Sequence, residues 1–282
     1  MSVQKVIPTT LNYQEYRFGR SRQIFRGPMP DLSKPYAAFI GGSETYGKFS
    51  PETYPSVLEQ ELSYQCINWG TPGAGPGFFI KDPVILEACS QAKICVISVM
   101  SAHTVPNRLY STYLRRNEKF KEASEQLKTL YPEVDFSQFR FAANMVSRLE
   151  EVDETRFAMI RLEMKNAWIA RMKELMTDIE TQKILLWFSD LSPEESGSLP
   201  AREVRRRVPA FVSREMVEAV APMADYYVEY VASEEAARGE VGDRIPGARG
   251  MHVARRFPSA MMHEEVAELL EAPLTKLLRI RR

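Results

Sequence analysis

The fold is decided by residues 37–47, which read AAFIGGSETYG. A short apolar run stops at two glycines and Ser43, as a buried parallel strand does when it delivers a hydroxyl to the carboxyl edge of a sheet. Two similar runs follow at the spacing of βαβ units, CINWG at 66–70 and CVISVMS at 95–101. Because parallel strands end at one edge, we expect Ser43, the Gly70 amide and a polar group after Met100 around one pocket.

Strands and helices alternate along much of the chain. The apolar runs predict five strands, at about 36–41, 64–69, 93–100, 183–189 and 226–231. Caps predict a helix after Ser50-Pro51-Glu52 and another from Asp82-Pro83 to about 91, and a helix from Pro258 to Leu270 closes the chain. This alternation predicts an α/β fold with a parallel sheet joined by right-handed crossovers.

The sequence divides into an arm and one domain. Residues 1–35 are broken by four prolines and predict an irregular N-terminal arm, and 36–282 predict a single α/β domain. The alternation stops after the third strand, where about 105–180 predict a helical insertion whose main part is one long amphipathic helix over 153–180. An exposed apolar face on that helix would indicate a homodimer, although the helix could equally pack on the sheet.

Composition narrows the classes of function. The chain has 282 residues, and its 37 Lys and Arg balance its 37 Asp and Glu, which argues against nucleic acid or an anionic membrane as partner. Cys66, Cys89 and Cys95 form no even disulfide framework, and no metal-binding spacing is present, so neither a metal nor another cofactor is expected. The absence of a signal pattern and of a long apolar run predicts a cytoplasmic protein.

A serine becomes a nucleophile only when a base takes its proton and donors stabilise the oxyanion. The base has to be His103, His252 or His263, the three histidines of the chain. Asn107, shortly after the third strand, is either an oxyanion donor or a turn residue. The glycine-rich loop 70–77 matches neither a dinucleotide fingerprint nor a Walker loop.

Together these blocks resemble the GDSL/SGNH esterase superfamily. Residues 39–45, FIGGSET, are similar to its first block, with Gly42 where that superfamily has an aspartate. Residues 67–70, INWG, are similar to the second block, and the stretch from Val99 to Asn107 to a displaced third block. Residues 257–267, FPSAMMHEEVA, are similar to the closing helix, although Phe257 stands at the place of the catalytic histidine.

The resemblance implies a fold and a set of roles. The fold would be a flavodoxin-like three-layer αβα sandwich with five parallel strands. Ser43 would attack an ester, the amides of Ser43 and Gly70 with Asn107 would hold the oxyanion, and His263 or His252 would be the base. The substrate would be a small molecule or a glycan.

A second resemblance extends over nearly the whole chain. The motifs YRFGRSR at 16–22, GGSETYG at 41–47 and RRNEKF at 115–120 are similar to those of a family of uncharacterised bacterial proteins. That similarity does not imply any particular activity.

Three hypotheses follow. The first is a serine hydrolase or an acyl or group transferase of the SGNH type. The second is a transferase or binding protein for an anionic ligand without serine chemistry, since arginines supply bidentate anion donors. The candidate anion-binding arginines are Arg17, Arg20, Arg22, Arg26, Arg108, Arg115 and Arg116. The third is a non-catalytic interaction module of the same fold.

Overall fold

The computed structural model describes residues 11–205, 207–239 and 257–280. Its strands are β1 (Tyr36–Ile40), β2 (Gln65–Asn68), β3 (Ile94–Ser98), β4 (Tyr110–Tyr113), β5 (Arg116–Ala123), β6 (Gln182–Ser189) and β7 (Tyr226–Val231). Its helices are α1 (Ser43–Tyr46), α2 (Tyr54–Leu62), α3 (Pro76–Ile80), α4 (Pro83–Gln91), α5 (Glu125–Leu130), α6 (Ala142–Val152), α7 (Glu154–Asp178), α8 (Pro193–Ser198), α9 (Ala201–Val204), α10 (Arg214–Glu218), α11 (Glu234–Arg238) and α12 (Ala260–Leu278).

Five of the strands form one sheet in the order β2-β1-β3-β6-β7, with every pairing parallel. This is the flavodoxin-like order, and it confirms the predicted fold class. In this order the chain changes direction between β1 and β3, so a crevice opens at the carboxyl ends of these two strands. The segment that carries Ser43 leaves β1 at that crevice.

Two apolar cores cover the two faces of the sheet. Successive residues of a strand point to opposite faces, so Ala37 and Phe39 contact one core and Ala38 and Ile40 the other. The first core is closed by α2 and α12, and the second by α4 and α7. The result is a three-layer αβα sandwich.

The insertion after β3 is mainly helical, as predicted, but it begins with an antiparallel hairpin of β4 and β5. Tyr110 and Thr112 of β4 are buried while Ser111 and Tyr113 between and after them are not, so the segment has the two-residue period of a strand. The long helix predicted over 153–180 is α7, which begins after Asp153, whose side chain accepts a hydrogen bond from the Arg156 amide.

Some boundaries differ from the prediction. The cap of α2 is Thr53 rather than Ser50-Pro51-Glu52, because Thr53 and Ser56 form a reciprocal capping box. The closing helix, predicted to end at Leu270, continues to Leu278. Cys66, Cys89 and Cys95 are buried free thiols.

Two features are absent from the part of the chain that the structure describes. None of its helices combines the length and the apolar character needed to cross a bilayer. None of its clusters of three or more His, Cys, Asp and Glu side chains has an arrangement that suits a metal ion.

Candidate functional site

Ser43 lies at a cavity of about 640 Å³ at the carboxyl ends of β1 and β3. It is the first residue of α1 and half-buried, and its neighbours Gly42 and Glu44 also line the cavity. The loop after β2 contributes residues 71–74, and the segment after β3 contributes Met100, Ser101, His103 and Thr104. Segments that follow three strands therefore surround the serine.

A buried polar network fixes the turn that carries Ser43. The Thr45 hydroxyl donates to Ser98 Oγ of β3 at 2.8 Å, and the Tyr54 hydroxyl lies 3.1 Å from the same atom. The Asn68 side-chain amide, at the end of β2, donates to the Thr45 carbonyl at 2.6 Å. These bonds join α1 to β2, β3 and α2, so the serine stands on a rigid support.

Arg26 of the N-terminal arm holds the same turn from outside. Its guanidinium donates to the carbonyls of Tyr46, Gly47, Ser50 and Pro51 at 2.6 to 3.3 Å. Burial lowers the pKa of Arg26 from its ordinary value. Because these donors are occupied by the backbone, Arg26 positions the serine turn.

Glu44 places a carboxyl group inside the cavity. It is 1% exposed, its Oε1 accepts from the Gly42 amide at 2.7 Å, and its Oε2 is buried without a hydrogen-bond partner. Burial raises its pKa to about 7, although backbone amides of Glu44 and Gly42 oppose the shift. The carboxyl lies so close to Gly42 that a Cβ there would be 2.7 Å from Oε2, so a side chain at this position would force the carboxyl to move.

His103 is the histidine that the cavity contains. It lies in the short 3₁₀ turn 102–104 after β3, is 7% exposed, and packs edge-on against Phe211 at 5.5 Å between ring centroids. Its Nδ1 is buried without a partner. Burial lowers its pKa to about 4, so the ring is neutral at pH 7 and has a nitrogen free to accept a proton.

His263 is placed elsewhere. Its Nδ1 accepts from the Tyr54 amide at 3.2 Å, which satisfies one of the free donors at the start of α2. Its ring lies between Tyr54 and Phe188, and burial, with the charge of Arg26, lowers its pKa to about 3. His263 does not line the cavity, and this setting is that of a structural histidine rather than the predicted base. His252, the other predicted base, lies outside the described residues.

The polar groups of Gly70 and Asn107 form hydrogen bonds with residues nearby in the chain. The Gly70 amide donates to Asn68 Oδ1 at 2.9 Å, and a Cβ at this position would lie 2.3 Å from the Tyr46 nitrogen. Asn107 Oδ1 accepts from the amides of Leu109 and Tyr110, which makes Asn107 a turn residue. Neither lines the cavity, so their predicted role as oxyanion donors does not fit this geometry.

The predicted anion-binding arginines do not converge on one place. Arg17 is exposed on the arm, and Arg108 forms an ion pair with Glu163. Arg20 and Arg115 line a second cavity of about 530 Å³, which shares Arg22 and Gln23 with the first. Of the seven, Arg22 and Arg116 line the cavity at Ser43, where Arg116 pairs with Glu118 at 2.9 Å. Arg26 instead binds the backbone of the serine turn.

The cavity contains charged residues that sequence reasoning did not select. They are Glu44, Lys48, Glu118, Arg205 and Arg207. The pair of glycines before Ser43 was the available signal for Glu44, because a Cβ at either position would crowd a carboxyl that folds back over them. The arginine cluster at 202–207 was visible in the sequence, but nothing linked it to the serine.

The comparison with family models gives one match over nearly the whole chain. A model described as "Domain of unknown function (DUF6473)" matches residues 1–278. A search of curated proteins finds no match.

Solved structures that match this chain include lipases and esterases. A lipase from a goat rumen metagenome is 13% identical, with a TM-score of 0.45, over 85% of this chain and 97% of that chain. A catalytic mutant of an acetylxylan esterase from Geobacillus stearothermophilus is 13% identical, with a TM-score of 0.43, over 86% of this chain and 94% of that chain. At these scores the similarity is no basis for assigning an activity.

Proposed function

The chain belongs to the DUF6473 family, and we propose that this member catalyses acyl transfer from Ser43, as an esterase or an acyltransferase. One observation carries the proposal. Ser43 is half-buried at the crevice between β1 and β3, in a cavity that also contains two groups able to take up a proton, Glu44 and His103. Ligand sites of open parallel sheets occur at this crevice.

The reaction would proceed in two steps. Ser43 Oγ attacks the carbonyl carbon of an ester while its proton passes to a base, and the alcohol then leaves with a proton as the acyl-enzyme forms. Water or a second alcohol attacks the acyl carbon, and Ser43 Oγ recovers its proton. Of the three predicted oxyanion donors, the Ser43 amide, in the first turn of α1, would stabilise the oxyanion, whereas Gly70 and Asn107 would not.

Glu44 and His103 would supply the acid–base chemistry. A general base works best when its pKa is near the working pH, and the pKa of Glu44 is about 7. His103 is neutral at that pH and has an unpartnered Nδ1. Both groups have buried surroundings, which favours a defined orientation.

A binding protein without catalysis is the second candidate. Within the described residues no hydrogen bond joins a histidine ring to Ser43, so no histidine is in contact with the serine as its base. This observation favours a binding protein. In this case the cavity would hold a ligand without transforming it.

A covalent probe separates the two candidates. The protein is treated with a fluorophosphonate, and its intact mass is measured beside Ser43→Ala and the cavity control Ser101→Ala. A stoichiometric adduct that disappears in Ser43→Ala and persists in Ser101→Ala supports acyl transfer. A folded wild-type protein without an adduct, or an adduct that survives Ser43→Ala, contradicts it.

A further inference from the structure

Positive charge is concentrated on the wall of the cavity at Ser43. Five cationic side chains line it, namely Arg22, Lys48, Arg116, Arg205 and Arg207. Arg116 and Arg207 are neutralised by ion pairs with Glu118 and Asp190. The remaining three have no ion pair within the described residues, and we call Arg22, Lys48 and Arg205 the cationic wall.

The members of the cationic wall are free to bind an anion. Arg205 donates from one terminal nitrogen to the neutral Asn144 side chain, and its Nε–H is buried without an acceptor. Lys48 lies over the rings of Phe49 and Phe257, 5.2 Å from each centroid, which holds its ammonium group in place. Arg22 is exposed on the arm and lines the cavity.

The inner part of the same cavity contains buried polar atoms without partners. Glu44 Oε2, Glu118 Oε2 and His103 Nδ1 are buried and have no hydrogen-bond partner. Glu44 and His103 are more than nine-tenths buried, so their surroundings cannot easily rearrange to satisfy them. A ligand hydroxyl both donates and accepts, so it can pair with a carboxylate oxygen, with a protonated carboxyl or with an imidazole nitrogen of either tautomer.

We propose that this cavity binds a hydroxyl-bearing anion, with its negative group on the cationic wall and its hydroxyls on Glu44, Glu118 and His103. The role of this ligand as the substrate rests on the proposed function, whereas its binding does not. Guanidinium groups bind phosphate, sulfate and carboxylate by paired charge-assisted hydrogen bonds, which is the chemistry that the wall offers. The cavity of about 640 Å³ has the size of an ordinary small-molecule site.

The first test is titration calorimetry with four probes: glucose 6-phosphate, methyl phosphate, glucose and glucuronate. Glucose 6-phosphate, with both features, is expected to bind more tightly than methyl phosphate, which lacks the hydroxyls, or glucose, which lacks the charge. Glucuronate distinguishes a carboxylate from a phosphate as the preferred anion. Failure of both anionic sugars to bind, or equal binding of glucose and glucose 6-phosphate, would overturn the proposal.

Two arginines of the same arm supply the matched variants. Arg22→Gln removes a member of the cationic wall and is expected to weaken binding of glucose 6-phosphate about tenfold or more. Arg17→Gln removes the same charge from an exposed position that does not line the cavity, and the Kd should stay unchanged. Equal losses in the two variants would show a general charge effect and refute the site.

Ser43→Ala distinguishes this inference from the proposed function. It is expected to lose the fluorophosphonate adduct of the wild-type protein and to keep its affinity for glucose 6-phosphate. Binding without any wild-type adduct would support the anion site and refute the serine chemistry. An adduct without binding of either anionic sugar would refute the anion site and leave the serine chemistry standing.

Discussion

Replacement of Glu44 by glutamine tests whether burial in the cavity raises the pKa of this carboxyl group. The side chain is 1% exposed, and burial raises its pKa from 4.5 to about 7. Glutamine has nearly the same shape and keeps an oxygen that can accept from the Gly42 amide, but it has no proton to release. The difference between the two proteins therefore isolates the titration of this carboxyl.

The magnitude follows from proton linkage. Between pH 4.5 and about 7 the unfolded carboxyl has released its proton while the folded one retains it. The folded state then binds more protons than the unfolded state, so the free energy of unfolding falls as pH rises. The stabilisation that Glu44 contributes below pH 4.5 is lost by about pH 7, and the shift corresponds to about 3 kcal/mol.

Urea unfolding at a series of pH values measures this effect. Trp69, Trp168 and Trp187 are fully buried, so their fluorescence reports the transition. The free energy of unfolding of Glu44→Gln, minus that of wild type, should rise by about 3 kcal/mol from pH 4.5 to about pH 8. The titration of other groups, His103 and His263 among them, cancels in this difference.

Glu122→Gln is the control. The pKa of the exposed Glu122 carboxyl is lowered by Lys121, so its contribution is present above pH 4.5 and is lost only below it. Its difference curve should be flat where that of Glu44→Gln rises. Two parallel curves for wild type and Glu44→Gln would refute the assignment of a neutral, buried carboxyl to the cavity.

Three further predictions concern the supports of the site. Gly42→Asp introduces the aspartate of the superfamily that the sequence resembles. It is expected to lower the free energy of unfolding by about 2 to 4 kcal/mol, because a Cβ at position 42 would lie 2.7 Å from Oε2 of the buried Glu44. Urea unfolding measures this loss, and adding Glu44→Ala to the same chain should recover most of it. Arg26→Gln removes donors to four carbonyls and should cost about 3 kcal/mol in the same assay, with Arg17→Gln near zero. His263→Asn keeps an acceptor for the Tyr54 amide but cannot be protonated. Since the pKa of His263 is lowered from 6.5 to about 3, the wild-type protein loses stability as pH falls below 6.5. Circular dichroism over a series of acid pH values should therefore show a smaller loss of folded protein for the variant.

The sheet could be predicted because its signal is local. Each buried strand is an apolar run between turn residues, and the runs are spaced as in parallel βαβ units. This pattern predicts the positions of the strands along the chain, and it predicts Ser43 at the end of the first one. The hairpin of β4 and β5 could not be predicted in the same way. Its polar and charged residues hide the alternation of Tyr110 and Thr112.

The partners of Ser43 could not be predicted because they depend on contacts between distant segments. His263 stands in the expected part of the chain, but the packing of α12 on α2 turns it toward Tyr54, 209 residues earlier. Arg17 and Arg22 have the same type of side chain and lie five residues apart. The bridge between Tyr16 and Phe25 folds the arm back, and Arg22 alone of the two faces the cavity.

The four hydrogen bonds of Arg26 have a consequence for how the protein opens. If either the arm or the serine turn separates from the fold, several carbonyls and a guanidinium lose their partners together. The two segments therefore form one cooperative unit of local unfolding, although they are distinct in sequence. Hydrogen exchange at the Phe25 amide, which bonds within the arm, and at the Gly47 amide, which bonds within the serine turn, should then share one opening free energy.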